Sequence, residues 1–195
     1  DETVTGFRVA PGGAAELYGL KPDIVTYGKA LGQGFPIAAI AGPNHIMESI
    51  EYGKVLHYGS HNAPRLGLFA TKTMLEEMTQ ENYTGFRKIK SVGDQMAKRL
   101  NQLSVDTGQN MRVQNVGSMF HPIFTELDQI TNYRDFCKTV DLAKYAIFSQ
   151  LMRDQGIFFS GNKILHNLSC TEHTQSDIDA SIDAAGIALE KMSKI

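Results

Sequence analysis

Ten of the chain's eighteen glycines fall within its first 59 residues, at positions 6, 12, 13, 19, 28, 32, 34, 42, 53 and 59. Glycine at that density supplies the unusual backbone angles of tight turns, so this stretch reads as short strands separated by turns. Ile24–Tyr27 and Ile37–Ala41 are short apolar runs of the kind buried in a sheet, and Val55–Tyr58 reads as a further strand. Between the first two lies Gly28-Lys29-Ala30-Leu31-Gly32-Gln33-Gly34. Pro43 and Asn44 open a short helical pattern through Ile46, Met47 and Ile50 that stops at Gly53.

The texture changes after Asn62. Leu66, Phe69, Met74, Leu75 and Met78 predict a helix over 64–78, and Phe86, Ile89, Val92, Met96, Leu100 and Leu103 predict a second. Asn82-Tyr83-Thr84-Gly85 supplies a turn or bend between them. Met111–Val116 and Ser118–Thr125 read as strands around Gly117. Tyr133–Gln155 reads as one helix ended by Gly156, and Ile157–Phe159 and Ile164–Leu168 as short strands. Thr174 with Asp177 forms a capping-box pattern for a last helix. The chain is therefore expected to divide into a Gly-rich α/β piece over 1–62, connecting helices over 63–104, and a small α+β domain over 105–195.

Charge narrows the function classes. Nineteen Lys and Arg against twenty-one Asp and Glu give a net charge of −2, which argues against a nucleic-acid binder. No apolar run reaches the roughly 20 residues of a membrane helix, and no signal-peptide pattern opens the sequence, so a cytoplasmic location is expected. Cys137 and Cys170 lack metal-ligand spacing and are expected to be single buried thiols. His57 and His61 stand four apart, but in a stretch read as a strand and the Gly59 turn and not as a helix, and His121 is remote in sequence, so no metal site is expected.

Lys29 follows an apolar strand and sits in a run of glycines. A lysine held in this way, away from carboxylates, can serve as a Schiff-base amine. A phosphate-binding loop would need Ser or Thr after the lysine, and Ala30 stands there. A plain surface lysine in a turn is the bland alternative.

The opening Asp1-Glu2-Thr3-Val4-Thr5-Gly6-Phe7-Arg8, followed by Lys21-Pro22-Asp23-Ile24 and Gly28-Lys29, resembles the fold-type I, class III aminotransferases that use pyridoxal phosphate. The stretch Thr5–Ala14 through Gly19–Asp23 is most similar to the glutamate-1-semialdehyde aminomutase branch. Val116-Gly117-Ser118-Met119-Phe120 and Glu172-His173-Thr174 also look like that branch's small domain. The fold this resemblance implies is the C-terminal part of the large, pyridoxal-phosphate-binding domain, with a mixed, mostly parallel sheet, followed by a small α+β domain. Since the sequence opens on Asp1 without a methionine, an N-terminal half is expected in the same or another chain.

The resemblance also implies roles. Asp1 would pair with the cofactor's pyridine nitrogen, Thr3 would pack against its ring, and Lys29 would carry the Schiff base and shuttle the proton. Ser60, after Gly59, would reach the phosphate of a neighbouring subunit, which implies a homodimer. The implied activity is transfer of an amino group from a small-molecule donor to a carbonyl acceptor. Thr3 stands where the family has a small aliphatic residue, Gln33 where it has a small one, and Pro64-Arg65 where it reads Asn-Pro. Phe159-Ser160-Gly161-Asn162-Lys163 lacks the aminomutase branch's glutamate. An aminotransferase is therefore the expected activity, with an aminomutase or a catalytically silent structural relative as alternatives. Arg8 could hold a substrate carboxylate, although a structural ion pair is the commoner use of such an arginine.

Overall fold

The computed structural model describes residues 1–51 and 53–194. The chain forms two compact units, Asp1–Arg87 and Lys88–Ile195.

In the first unit, helix α1 (Gly13–Leu17) precedes strand β1 (Val25–Tyr27), a single 3-10 turn at Lys29–Leu31, strand β2 (Ala39–Ala41) and helix α2 (Asn44–Glu51). β1 and β2 pair antiparallel, with Thr26 opposite Ile40, as a two-stranded sheet. Only Ala39–Ala41 of the apolar run from Ile37 is strand, and Val55–Tyr58 is irregular and exposed instead of a strand. Gly32 explains the tight path after the lysine: a Cβ there would collide with the Phe35 carbonyl and the Ile37 side chain.

Helix α3 (Arg65–Asp106) consists of two helical stretches separated at Gln80–Tyr83, where Glu81, Asn82 and Tyr83 take left-handed angles of +46°, +59° and +64°. The carbonyls freed by that break are answered locally, since the Arg87 guanidinium donates to the Glu81 and Asn82 carbonyls and to the Thr84 hydroxyl. Gly85 allows the chain to pass against Met78.

The second unit is built on strand β3 (Met111–Val116) and strand β4 (Met119–Phe124), which pair antiparallel with Val113 opposite Pro122; strand β5 (Asn167–Leu168) adds to β4. Helices α4 (Tyr133–Thr139), α5 (Leu142–Arg153) and α6 (Gln175–Met192) complete it. Leu100, Met111, Phe124, Phe148, Met152, Ala185 and Leu189 form its core. The single helix predicted over 133–155 is two, because Val140 is extended and Asp141 restarts the helix by accepting from the Ala143 and Lys144 amides. Ile157–Phe159 is irregular, and only Asn167–Leu168 of the last predicted strand pairs. Thr174 and Asp177 do form the capping box of α6. Both cysteines are exposed, a correction to the expected buried thiols: Cys137 lies on the outward face of α4 and Cys170 precedes the α6 cap.

Candidate functional site

The two leading acids have opposite fates. The Glu2 amide donates to the Thr26 carbonyl at 2.8 Å, which lays the chain's start along β1. Asp1 is exposed, and its Oδ1 accepts the Thr3 amide at 2.8 Å and the Thr26 hydroxyl at 3.1 Å. Glu2 is buried, 5 % exposed. Its carboxylate accepts the Thr5 hydroxyl, the Ala14 amide at 3.0 Å and the Ala15 amide at 2.7 Å. Those amides open α1, where the positive end of the helix favours an anion. Burial pushes the Glu2 carboxyl up, but the Thr5 hydroxyl and the two amides outweigh it and hold the group below its ordinary value. Gly13 makes the arrangement possible: its φ is +73°, and a Cβ there would overlap Glu2 Oε2. This structural carboxylate was missed in the sequence, although the Gly12-Gly13 pair ahead of Ala14-Ala15 was the available signal.

Lys29 follows at the end of β1. Gly28 is buried and extended at φ −169°, and the Thr3 methyl lies 3.3 Å from where a Gly28 Cβ would stand. Lys29 itself is exposed and left-handed, at φ +43°, and opens the 3-10 turn. The turn is anchored from below by buried Ala30 and Leu31, and the Thr71 hydroxyl donates to the Leu31 carbonyl at 2.9 Å. Gln33, also left-handed, donates from Nε2 to the Ala30 carbonyl at 3.0 Å, so its departure from a small residue closes the lysine's turn. Asp1 thus meets Thr26 of β1, and Thr3 meets Gly28, the residue before Lys29.

Tyr27 underlies the group. Its ring packs on Phe7 at 5.2 Å, and burial, with the Glu2 charge, pushes its phenol above the usual range. Arg8 is half-buried in the same turn. Gly59 and Ser60 lie elsewhere in the unit, in an exposed turn closed by the Asn62 amide on the Gly59 carbonyl at 3.0 Å. No hydrogen bond among the described residues ties them to Asp1 or Lys29. His57 and His61 border a separate apolar hollow with Ile37, Met47 and Ile50. Among the described residues no group of three or more His, Cys, Asp or Glu is placed to hold a metal ion, and no helix is long and apolar enough to cross a membrane.

β1 and the turn after it carry an exposed carboxylate held by Thr26, a threonine methyl against Gly28 and an exposed lysine next in the chain. A flat, polar, aldehyde-bearing aromatic ring fits that donor set: the acid suits a protonated ring nitrogen and the amine suits the aldehyde carbon.

The chain is 36 % identical over 190 residues to a glutamate-1-semialdehyde 2,1-aminomutase of Thermus thermophilus, covering 97 % of this chain and 44 % of that protein. It is 33 % identical to the corresponding protein of Chloroflexus aggregans, covering 98 % and 44 %. Its fold superimposes on a β-phenylalanine aminotransferase from Variovorax paradoxus with a TM-score of 0.85, at 23 % identity, over 100 % of this chain and 44 % of the other. The chain therefore spans under half the length of the curated relatives it matches. The family model described as Aminotransferase class-III matches residues 1–182. With that match running across nearly all of the sequence, the chain belongs to the class III aminotransferases.

Proposed function

We propose that this chain is the lysine-bearing part of a pyridoxal-phosphate-dependent aminotransferase, which moves an amino group from a small-molecule amine to a carbonyl acceptor. The observation that carries this reading is that Asp1 is held by Thr26 of β1, the strand that leads through Gly28 into Lys29. Asp1 would hold the cofactor's ring nitrogen in its protonated form, and the Thr3 methyl would pack against the ring. When bound, the cofactor supplies an electron-poor ring that draws in the electron pair left when the substrate's C–H bond breaks. Lys29 Nζ would hold the cofactor's aldehyde carbon until a substrate amine displaces it, and would then take and return the proton of the substrate's α-carbon. Gly28 and Gln33 would keep the lysine's turn in shape while its side chain moves.

Ser60 would donate to the phosphate bound by a second copy, which places the working site in a homodimer. The reading also carries a cytoplasmic location and the division at 1–62, 63–104 and 105–195.

A second reading, an aminomutase that moves the amino group within one molecule, is favoured by the curated relatives at 33–36 % identity. The absence of an acid from Phe159–Lys163 counts against it. The test uses the complete protein that contains this chain. Lys29→Ala should lose the cofactor's covalent absorbance band and all turnover, while wild type should show an amine-dependent spectral change. An unchanged band and turnover in the variant would refute the lysine's role. Wild type that binds the cofactor without responding to amines would mark a silent relative, and turnover of a single substrate with no acceptor would mark the aminomutase.

A further inference from the structure

The second unit contains a polar latch that no step of the proposed reaction uses. Between Phe159 and β5 the chain makes an exposed loop, Ser160-Gly161-Asn162-Lys163-Ile164-Leu165, tipped by Ile164 and Leu165, which are 55 % and 49 % exposed. Three side chains hold it from beneath. The Ser160 amide donates to Asn167 Oδ1 at 2.8 Å, the Tyr145 hydroxyl donates to the Ser160 carbonyl at 2.7 Å, and His121 Nε2 meets the Lys163 carbonyl at 3.2 Å. The loop is thus pinned through backbone atoms at Ser160 and Lys163, by one residue each of α5, β5 and β4. Ser160, where the loop begins, and His166 and Asn167, which follow it, line a cavity of about 600 Å³ whose apolar sides include Met96, Phe120 and Ile178.

His121 is the unusual member. A carbonyl can only accept, so Nε2 must carry the hydrogen, and the other ring nitrogen is then bare. That nitrogen, Nδ1, is buried and has no hydrogen-bond partner. The ring rests against Tyr145, with centroids 4.8 Å apart. A second proton would have to enter at Nδ1, where no acceptor waits. Among the described residues, the groups facing the ring offer no compensating anion: Tyr145 is a neutral phenol on α5, Lys163 on the loop and His166 just after it are bases, and Gln114, opposite on β3, is neutral. The charged residues of α5 itself, Lys144 and Arg153, are both cations, and Arg153 lies beside Gly161.

We propose that His121 is a pH-sensitive latch: neutral, it pins the 160–165 loop that begins at the cavity-lining Ser160, and protonated, it must leave its seat and release the loop. Burial holds the imidazole's proton affinity below the ordinary range, against the opposing pull of the Lys163 carbonyl. The sign follows. The unfolded or released state takes up the proton first as pH falls below about 6.5, so the latched state loses stability from there downward until the seated ring itself titrates.

Hydrogen exchange on the complete protein, followed by mass spectrometry of peptides covering 158–168 and corrected for intrinsic rates, reads the latch. Between pH 7.5 and 5.5 wild type should exchange about fivefold faster in this segment than the correction predicts. His121→Gln keeps a donor for the Lys163 carbonyl but cannot titrate, so it should remove the pH response. Tyr145→Phe should loosen the segment at both pH values and leave the response intact, and His166→Gln should also leave it intact. A wild-type segment with no excess acceleration would overturn the proposal. So would a response that survives His121→Gln, or one that disappears in His166→Gln alone.

Discussion

Replacing Glu2 by glutamine tests how the amino-terminal turn is held. The carboxylate serves three donors, with the Thr5 hydroxyl and Ala14 amide on Oε2 and the Ala15 amide on Oε1. A glutamine side chain has one oxygen. In either orientation at least one of the two backbone amides meets an NH2 group instead of an acceptor, and the bonds that survive lose their charge. A hydrogen bond to a charged group is worth about 1.5–3 kcal/mol, so the turn should loosen by about 2–3 kcal/mol. In amide exchange that is roughly a 30- to 150-fold loss of protection at Ala14 and Ala15. Hydrogen exchange at pH 7 on peptides covering residues 10–18 measures it. The effect also has a pH signature. Glu2 sits below its ordinary 4.5 in the folded chain, so its contribution is complete above that value and fades as pH falls through the folded-state pKa. Wild type and variant should therefore converge in acid. Protection unchanged within about twofold at pH 7 would show that the carboxylate does not hold the turn.

Two further substitutions probe the second unit. Gly93→Ala would ordinarily favour a helix by up to about 1 kcal/mol, but a Cβ there would overlap the Gly117 carbonyl oxygen of the β3–β4 hairpin. A net destabilisation of about 1–3 kcal/mol is expected in urea unfolding followed by far-ultraviolet circular dichroism, and a stabilised variant would contradict the close approach. Thr174→Ala removes the capping hydroxyl of α6 and should cost about 1 kcal/mol in the same assay, with Thr174→Ser close to wild type. Equal stability of Ala and Ser at 174 would deny the cap its role.

Where a residue's partner is near in sequence, the pattern could be read directly. The capping box of α6, the β3–β4 hairpin around Gly117, the short helix after Pro43 and the bend near Asn82 all announce themselves through local spacing. The division of 133–155 was hidden because Phe136, Val140, Ala143 and Ile147 keep a helical apolar rhythm across it. Only Asp141, read as a cap, marks the restart. Val55–Tyr58 is as apolar as a strand but has no strand partner among the described residues, and composition alone does not supply one. The cysteines misled because cysteine is buried on average, while Cys137 and Cys170 occupy outward positions set by neighbouring elements. The resemblance singles out Asp1, Thr3 and Lys29, whose roles are the proposal made above. The burial of Glu2 and the contribution of Gln33 to the lysine's turn depend on contacts across the fold that no single-residue signal carries.

The backbone at Lys29 sets stability against use. A side chain with a Cβ in the left-handed region is disfavoured by about 1–2 kcal/mol, and glycine escapes most of that penalty. Glycine at this position would relax the turn and leave a sturdier protein without the amine of the proposed chemistry. Screening for thermal robustness alone would thus favour discarding the one side chain on which the proposed chemistry depends.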